Sequence, residues 1–189
     1  MAEVALKVEK RSTGRRASKD IRNSGKIPGV YYVKGSEGIP IVAEPLALRP
    51  IVYTAQTKVV KLDIDGELKD CVLKDISFHP VTDNILHFDL LGLTEGHKVT
   101  VKVPFKFNGQ AKGVMSGGLF RPVINNTKVT CLPKDLPEFL NIDISGLDIG
   151  KVIRLNELKA VNPQLEFAIK ENPVVCTIAR PRVKTAGGN

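Results

Sequence analysis

Tryptophan is absent, and aromatic residues make up only 5% of the chain. The apolar share is still 42%, so the core falls to valine, isoleucine and leucine. Cysteine is scarce as well. Cys71, Cys131 and Cys176 are far apart, odd in number and free of any Cys-x-x-Cys pair. That spacing argues against a disulfide framework and against thiolate metal ligation. Each cysteine lies in an apolar or alternating run, so all three read as reduced core thiols of a cytosolic protein. Histidine occurs only as His79, His87 and His97, with no further ligand at metal-binding spacing. A Gly-x-Ser-x-Gly nucleophile turn is missing. The glycine-rich run from Gly113 to Gly118 lacks the Lys-Ser/Thr and helix pattern of a phosphate cradle, and reads as a flexible loop. No apolar stretch reaches signal or membrane-spanning length. The expectation is a protein with no catalytic residues, no metal, no cofactor, no small-molecule substrate and no membrane.

What the chain does have is positive charge, and it is concentrated. Between Lys7 and Lys26 stand eight basic residues and only Glu9 and Asp20 as acids, a net charge of +6. The whole chain carries +8, which leaves +2 for the other 169 residues. A cluster that dense suits a polyanion, most commonly nucleic acid. Within it Arg15 to Ser24 reads as a short helix, broken from the preceding strand by Gly14 and capped by Gly25. Ala17 and Ile21 can face a core. Arg15, Lys19 and Arg22 fall at helical spacing on another face, with Ser18 between them. Those side chains are donors for phosphate oxygens. A merely solvated charged helix is the alternative, and the low charge elsewhere argues against it.

The 189 residues can form one large domain or two small ones. Alternating residues predict a strand through Lys10, then the basic helix and a turn over Lys26 to Gly29. Strands follow at Val30 to Val33 and Ile39 to Val42, and a helix from Pro45 to about Val52. Val59 to Ile64 and Glu67 to Phe78 flank Asp65-Gly66, a strong hairpin signal. Ile85 to Leu91 ends this unit of about six strands and two short helices. Gly92 to His97 looks like a boundary, and the pattern beyond is strands only. The reading is mainly β: a domain over 1–93, a second all-β domain over 94–182, and a polar, disordered tail over 183–189.

His87 and Asp89 stand two apart on a strand, so both side chains share a face. Three roles are open to them. They are surface polar residues, which is the favoured reading; or they touch a ligand beside the basic helix; or, least favoured, they serve an enzyme.

Two motifs carry a family resemblance. Gly14-Arg15-Arg16-Ala17-Ser18-Lys19-Asp20-Ile21-Arg22, followed by Gly25 to Val30, resembles the opening of the bacterial large-subunit ribosomal protein that binds 5S rRNA. Lys74 to Asp83, continued by Leu86-His87-Phe88-Asp89, is the second match. The length, with Asp143 to Leu147 and Gly150, is similar to the long, two-domain general stress protein (Ctc) form. The resemblance implies an N-terminal six-stranded β-barrel docking on the minor-groove side of an internal loop of 5S rRNA. It implies RNA contacts at Lys10, Arg15, Ser18, Lys19, Arg22, Tyr32, Lys74, His87 and Asp89. A regular RNA helix hides its bases in a deep groove but opens its shallow groove and 2′-hydroxyls to a broad protein surface. The implied partners are 5S rRNA, neighbouring large-subunit proteins and 23S rRNA, at a cytoplasmic, ribosome-associated location. Binding to another structured RNA, such as a tRNA stem, is the runner-up. A stress-linked protein–protein adaptor is the alternative from a different class.

Overall fold

The computed structural model describes residues 3–54, 56–161, 165–169 and 171–180. The tail expected at 183–189 lies outside the described residues. The chain opens with β1 (Glu3–Lys10), α1 (Arg15–Asn23), β2 (Ile27–Tyr32), β3 (Ile39–Ala43), α2 (Pro45–Val52), β4 (Val59–Ile64), β5 (Glu67–Phe78) and β6 (Ile85–Gly92). These six strands close into a barrel in the order β1-β3-β2-β6-β5-β4, and β4 returns to pair with β1 in parallel. Period-two alternation points one residue set inward. Leu6, Val8, Ile41, Val60, Leu62, Phe88 and Leu90 fill the interior. Helix α2 joins β3 to β4 and adds Leu48 and Ile51 to the same core.

The β4–β5 hairpin turns at Asp65-Gly66 with φ of 54° and 92°, the left-handed pair that a two-residue hairpin of this twist requires. Helix α1 ends on Gly25 at φ 79°, which no β-carbon would favour. One expectation needs correction. Ile27-Pro28-Gly29 is the start of β2 and not a turn. Gly29 pairs with Ile41 on one side and Phe88 on the other. It is glycine because the Phe88 ring occupies the space where its side chain would be: a β-carbon there would lie 2.5 Å from Cζ.

The second half adds β7 (Val99–Asn108), α3 (Lys112–Met115), β8 (Leu119–Pro122), β9 (Asn126–Cys131), a 3-10 turn at Pro133–Asp135 and β10 (Leu140–Asp143). It ends with β11 (Val152–Arg154), α4 (Leu155–Val161), β12 (Glu166–Phe167) and β13 (Val174–Ala179). One sheet has the order β10-β7-β9-β12 and the other β11-β13-β8. They share a core that includes Val101, Val103, Val129, Leu155, Val175 and Ile178. The fold is therefore mainly β throughout, but this half is not strands only. Leu155 and Leu158 are buried one turn apart on α4, and the Arg154 N–H donates to the Glu157 carboxylate at 3.1 Å, closing the helix start. At α3 the glycine-rich run is a close-packed corner. A β-carbon on Gly113 would meet the backbone of Asp148 and Ile149 at 2.7 Å.

The two cores touch. Val72 and Leu91 point out of the barrel and are buried in the second core, with Tyr32 packed against it. The Thr57 N–H donates to the Glu138 carbonyl at 2.7 Å.

Candidate nucleic-acid interface

Helix α1 connects β1 to β2 and packs against β2. Ala17, Ser18 and Ile21 are its half-buried face, while Arg15, Arg16, Lys19 and Arg22 are exposed. Arg11, counted in the basic cluster, holds this arrangement. Its guanidinium is half-buried and donates to the Ile41 carbonyl at 3.0 Å, the Gly29 carbonyl at 3.5 Å and the Ser18 hydroxyl at 3.3 Å. Burial lowers the Arg11 pKa, and the charge of Arg22 adds to that. Arg11 is a bracket between helix and barrel, not a free phosphate ligand. Ser18 consequently sits on the packed side of α1, its oxygen already accepting a bond, although the hydroxyl hydrogen is still available.

Arg22 stays outside. Its Nε donates to the Leu86 carbonyl at 3.1 Å, which anchors the guanidinium beside β6 and leaves its terminal nitrogens available. Next along β6, His87 and Asp89 point outward between the inward Phe88 and Leu90. Their side chains meet, His87 Nδ1 to Asp89 Oδ1 at 2.9 Å. In a neutral imidazole that bond sets the proton on Nδ1 and leaves Nε2 as an acceptor facing out. Tyr32 lies on the neighbouring β2, and Lys74 sits at a register shift in β5 with its ammonium 5.3 Å from the Tyr32 ring centroid. The surface thus runs from cations on α1 and at Arg22, through a His–Asp pair, to an aromatic–lysine pair.

Lys10 is placed apart from this line. It lies at the end of β1 and is ion-paired with Asp65 on the β4–β5 hairpin at 2.9 Å. Among the expected contacts, the structure places Tyr32, Lys74, His87 and Asp89 on β2, β5 and β6, with Arg15, Lys19 and Arg22 on the adjoining helix.

Sequence reasoning missed the neighbours supplied by the second half. Tyr32, Lys74 and Asp89 share a cleft with Asp75, Lys102 and Lys128. Asp75 stands directly across from Asp89, a like-charge pair that alone would be unfavourable. Lys102 offsets it by binding Asp75 at 2.7 Å, and that hydrogen bond holds the Asp75 carboxyl below the usual carboxylate range. The alternation of β7 shows that Lys102 is outward, but nothing local says that this face meets the barrel. The thiols stay out of the chemistry: Cys71, Cys131 and Cys176 are buried and unpaired, and burial pushes Cys71 up to about 12. Among the described residues no group of three or more His, Cys, Asp or Glu side chains is arranged to hold a metal ion, and no helix is long and apolar enough to cross a membrane.

A closed small barrel with a basic helix along its flank presents concentrated positive charge to solvent. Comparison with known proteins gives the class its family. Residues 6–90 match the Ribosomal L25p family, and residues 98–182 match the family described as ribosomal protein TL5, C-terminal domain. The chain is similar to the large ribosomal subunit protein bL25 of Chloroherpeton thalassium, at 33% identity over 97% of this chain and 94% of the relative. It is also similar to bL25 of Amoebophilus asiaticus, at 38% identity over 85% and 81%, and of Bacteroides thetaiotaomicron, at 38% over 92% and 87%. The chain belongs to the bL25 family of large ribosomal subunit proteins, a structural constituent of the ribosome and not an enzyme.

Proposed function

We propose that the barrel half, residues 1–93, is a 5S rRNA-binding domain and that the sheets over 94–182 form a second domain attached to it. The observation that carries the reading is the continuity of α1 with the outward face of β6 and β2: exposed cations at Arg15 and Lys19 and an anchored one at Arg22, beside directional groups at His87, Asp89 and Tyr32. Cations hold phosphates without regard to sequence, while the directional groups address 2′-hydroxyls and base edges in a shallow groove. The carboxylates fit that division of labour. Asp89 disfavours phosphate at its own position and accepts a hydroxyl or amino hydrogen there. Lys10 and Ser18 belong to the same site on the family resemblance, Lys10 exchanging Asp65 for a phosphate and Ser18 donating its hydroxyl hydrogen. Neighbouring large-subunit proteins and 23S rRNA are the further partners of this reading.

The test is a filter-binding titration of the full chain against 5S rRNA at several salt concentrations. With four or five phosphate contacts, log affinity falls against log salt with a slope of about −3 to −4.5, at roughly 0.7 to 0.9 per contact. Salt-insensitive binding refutes the proposal. Preferential recovery of a tRNA over 5S rRNA, after sequencing RNA pulled down from a lysate, replaces it with the runner-up.

A further inference from the structure

At the end of the barrel where β2 and β6 begin, a cavity of about 380 Å³ lies between α1, α2 and the β5–β6 turn. Three cations line it, Arg22, Lys26 and Arg49, and among the described residues no carboxylate does. Lys26 is paired with Glu9, but no carboxylate pairs with Arg49 among the described residues. His79 is part of the wall, held by its own turn. Its Nδ1 accepts the N–H groups of Val81 and Thr82, each at 3.3 Å, so a neutral ring carries its proton on Nε2 as a donor. Tyr53, one turn after Arg49, borders the cavity at 62% exposure. Its ring is paired with that of Phe78, 41% exposed, at 6.5 Å between centroids.

Two large aromatic faces are thus left in water beside a cleft lined by three cations. Arg22 borders the cleft and also, through the Leu86 carbonyl, stands at the start of the His87–Asp89 face, so the two surfaces are continuous.

We propose that this cleft takes an unpaired nucleotide of the bound RNA, its phosphate on Lys26 and Arg49 and its base stacked on the Tyr53–Phe78 pair, while Arg22 holds the adjoining helical phosphate. The inference rests on the RNA-binding reading above and deepens it. A single-stranded or bulged base exposes its π-face, which aromatic side chains accept with little regard to base identity. The outward face of β6 reads the groove of the internal loop, and the cleft takes a base that has left the stack.

The test uses the full chain, which has no tryptophan of its own. Tyr53→Trp therefore introduces a single fluorescent reporter at the cleft. Addition of 5S rRNA quenches the introduced indole by stacking, and inorganic phosphate does not. Tyr53→Ala weakens 5S rRNA binding by about five-fold or more, and Arg49→Ala lowers the salt slope by roughly 0.7 to 0.9. Both residues are exposed, so these variants fold. If the full chain binds 5S rRNA with unchanged affinity and slope in both variants and the indole is not quenched, this proposal is overturned and the barrel reading stands. If the indole responds only in the assembled large subunit, a protein neighbour covers the cleft and the proposal is likewise overturned. Failure of the unaltered chain to bind 5S rRNA refutes both readings.

Discussion

Gly29→Ala puts the fold to a quantitative test at the strand that carries Tyr32. The added methyl would lie 2.5 Å from Phe88 Cζ and 2.6 Å from both Cε atoms. No real contact is that close, so something has to move. Phe88 cannot easily do so, because it is fully buried at 0% exposure amid the barrel core. Residue 29 is no freer: it is paired with β3 and β6 on its two sides, and its carbonyl accepts a bond from Arg11. Overpacking in a rigid core costs about 1 to 3 kcal/mol, and a clash between two fixed partners belongs at the upper end. For a urea dependence of about 2 kcal/mol per M, the unfolding midpoint drops by about 1 M or more. The second arm is Phe88→Leu. That substitution alone costs stability by removing ring volume, but in the Gly29→Ala background it relieves the clash, so the double variant is more stable than the sum of the single losses. Circular dichroism during urea titration reads all four proteins. A Gly29→Ala change within 0.5 kcal/mol of the parent, or strict additivity in the cycle, refutes the claim that β2 and β6 are locked together at this contact.

Arg22→Ala should weaken binding about equally on the cognate 5S rRNA loop and on a fully paired variant, with a shallower salt slope, whereas His87→Ala should cost on the order of 1 kcal/mol on the cognate loop alone and leave the slope unchanged. Equal losses on both RNAs for His87→Ala would return it to a plain surface histidine. A fragment ending near Leu93 should retain 5S rRNA binding while the remainder does not; it should also self-associate more, since Val72 and Leu91 lose the second core that covers them. Size-exclusion chromatography and filter binding check the two halves of that statement. Cys71 should resist thiol reagents until the barrel unfolds, because its folded pKa of about 12 leaves almost no thiolate at neutral pH. That raised value also carries a sign: the stability it confers is full below the unfolded thiol's pKa and is lost as pH rises above about 9, where only the unfolded state ionises. Chemical denaturation at pH 8 and pH 10 measures it, and Cys71→Ala should flatten the difference.

Much of the barrel follows from local rules that the chain obeys residue by residue. Alternation gives β4 and β5 their bounds, Asp65-Gly66 has the left-handed pair a tight hairpin needs, and Gly25 ends α1 where a left-handed residue is required. The charge of the first helix is likewise a property of sequence alone. Where local rules misread, a distant partner is the cause. Ile27 to Gly29 carries turn residues, yet the Phe88 ring, 59 positions away in sequence, makes a strand of it by occupying the space beside Gly29. Ser18 lies among exposed basic residues in sequence, and Arg11 draws it to the packed side. Lys10 belongs to the basic run, and the β4–β5 hairpin draws it to Asp65. Helix α4 stands in a half whose pattern reads as strands only, because Leu155 and Leu158 are buried together on one helical face. Neither the cleft shared by Tyr32, Lys74, Lys102 and Lys128 nor the cavity around Arg49 and Tyr53 has any local signature. Periodicity assigns a residue to a face of its own element. Which other element that face meets depends on barrel closure and on the packing of Val72 and Leu91 into the second core, contacts between residues far apart in sequence that form only in the folded chain.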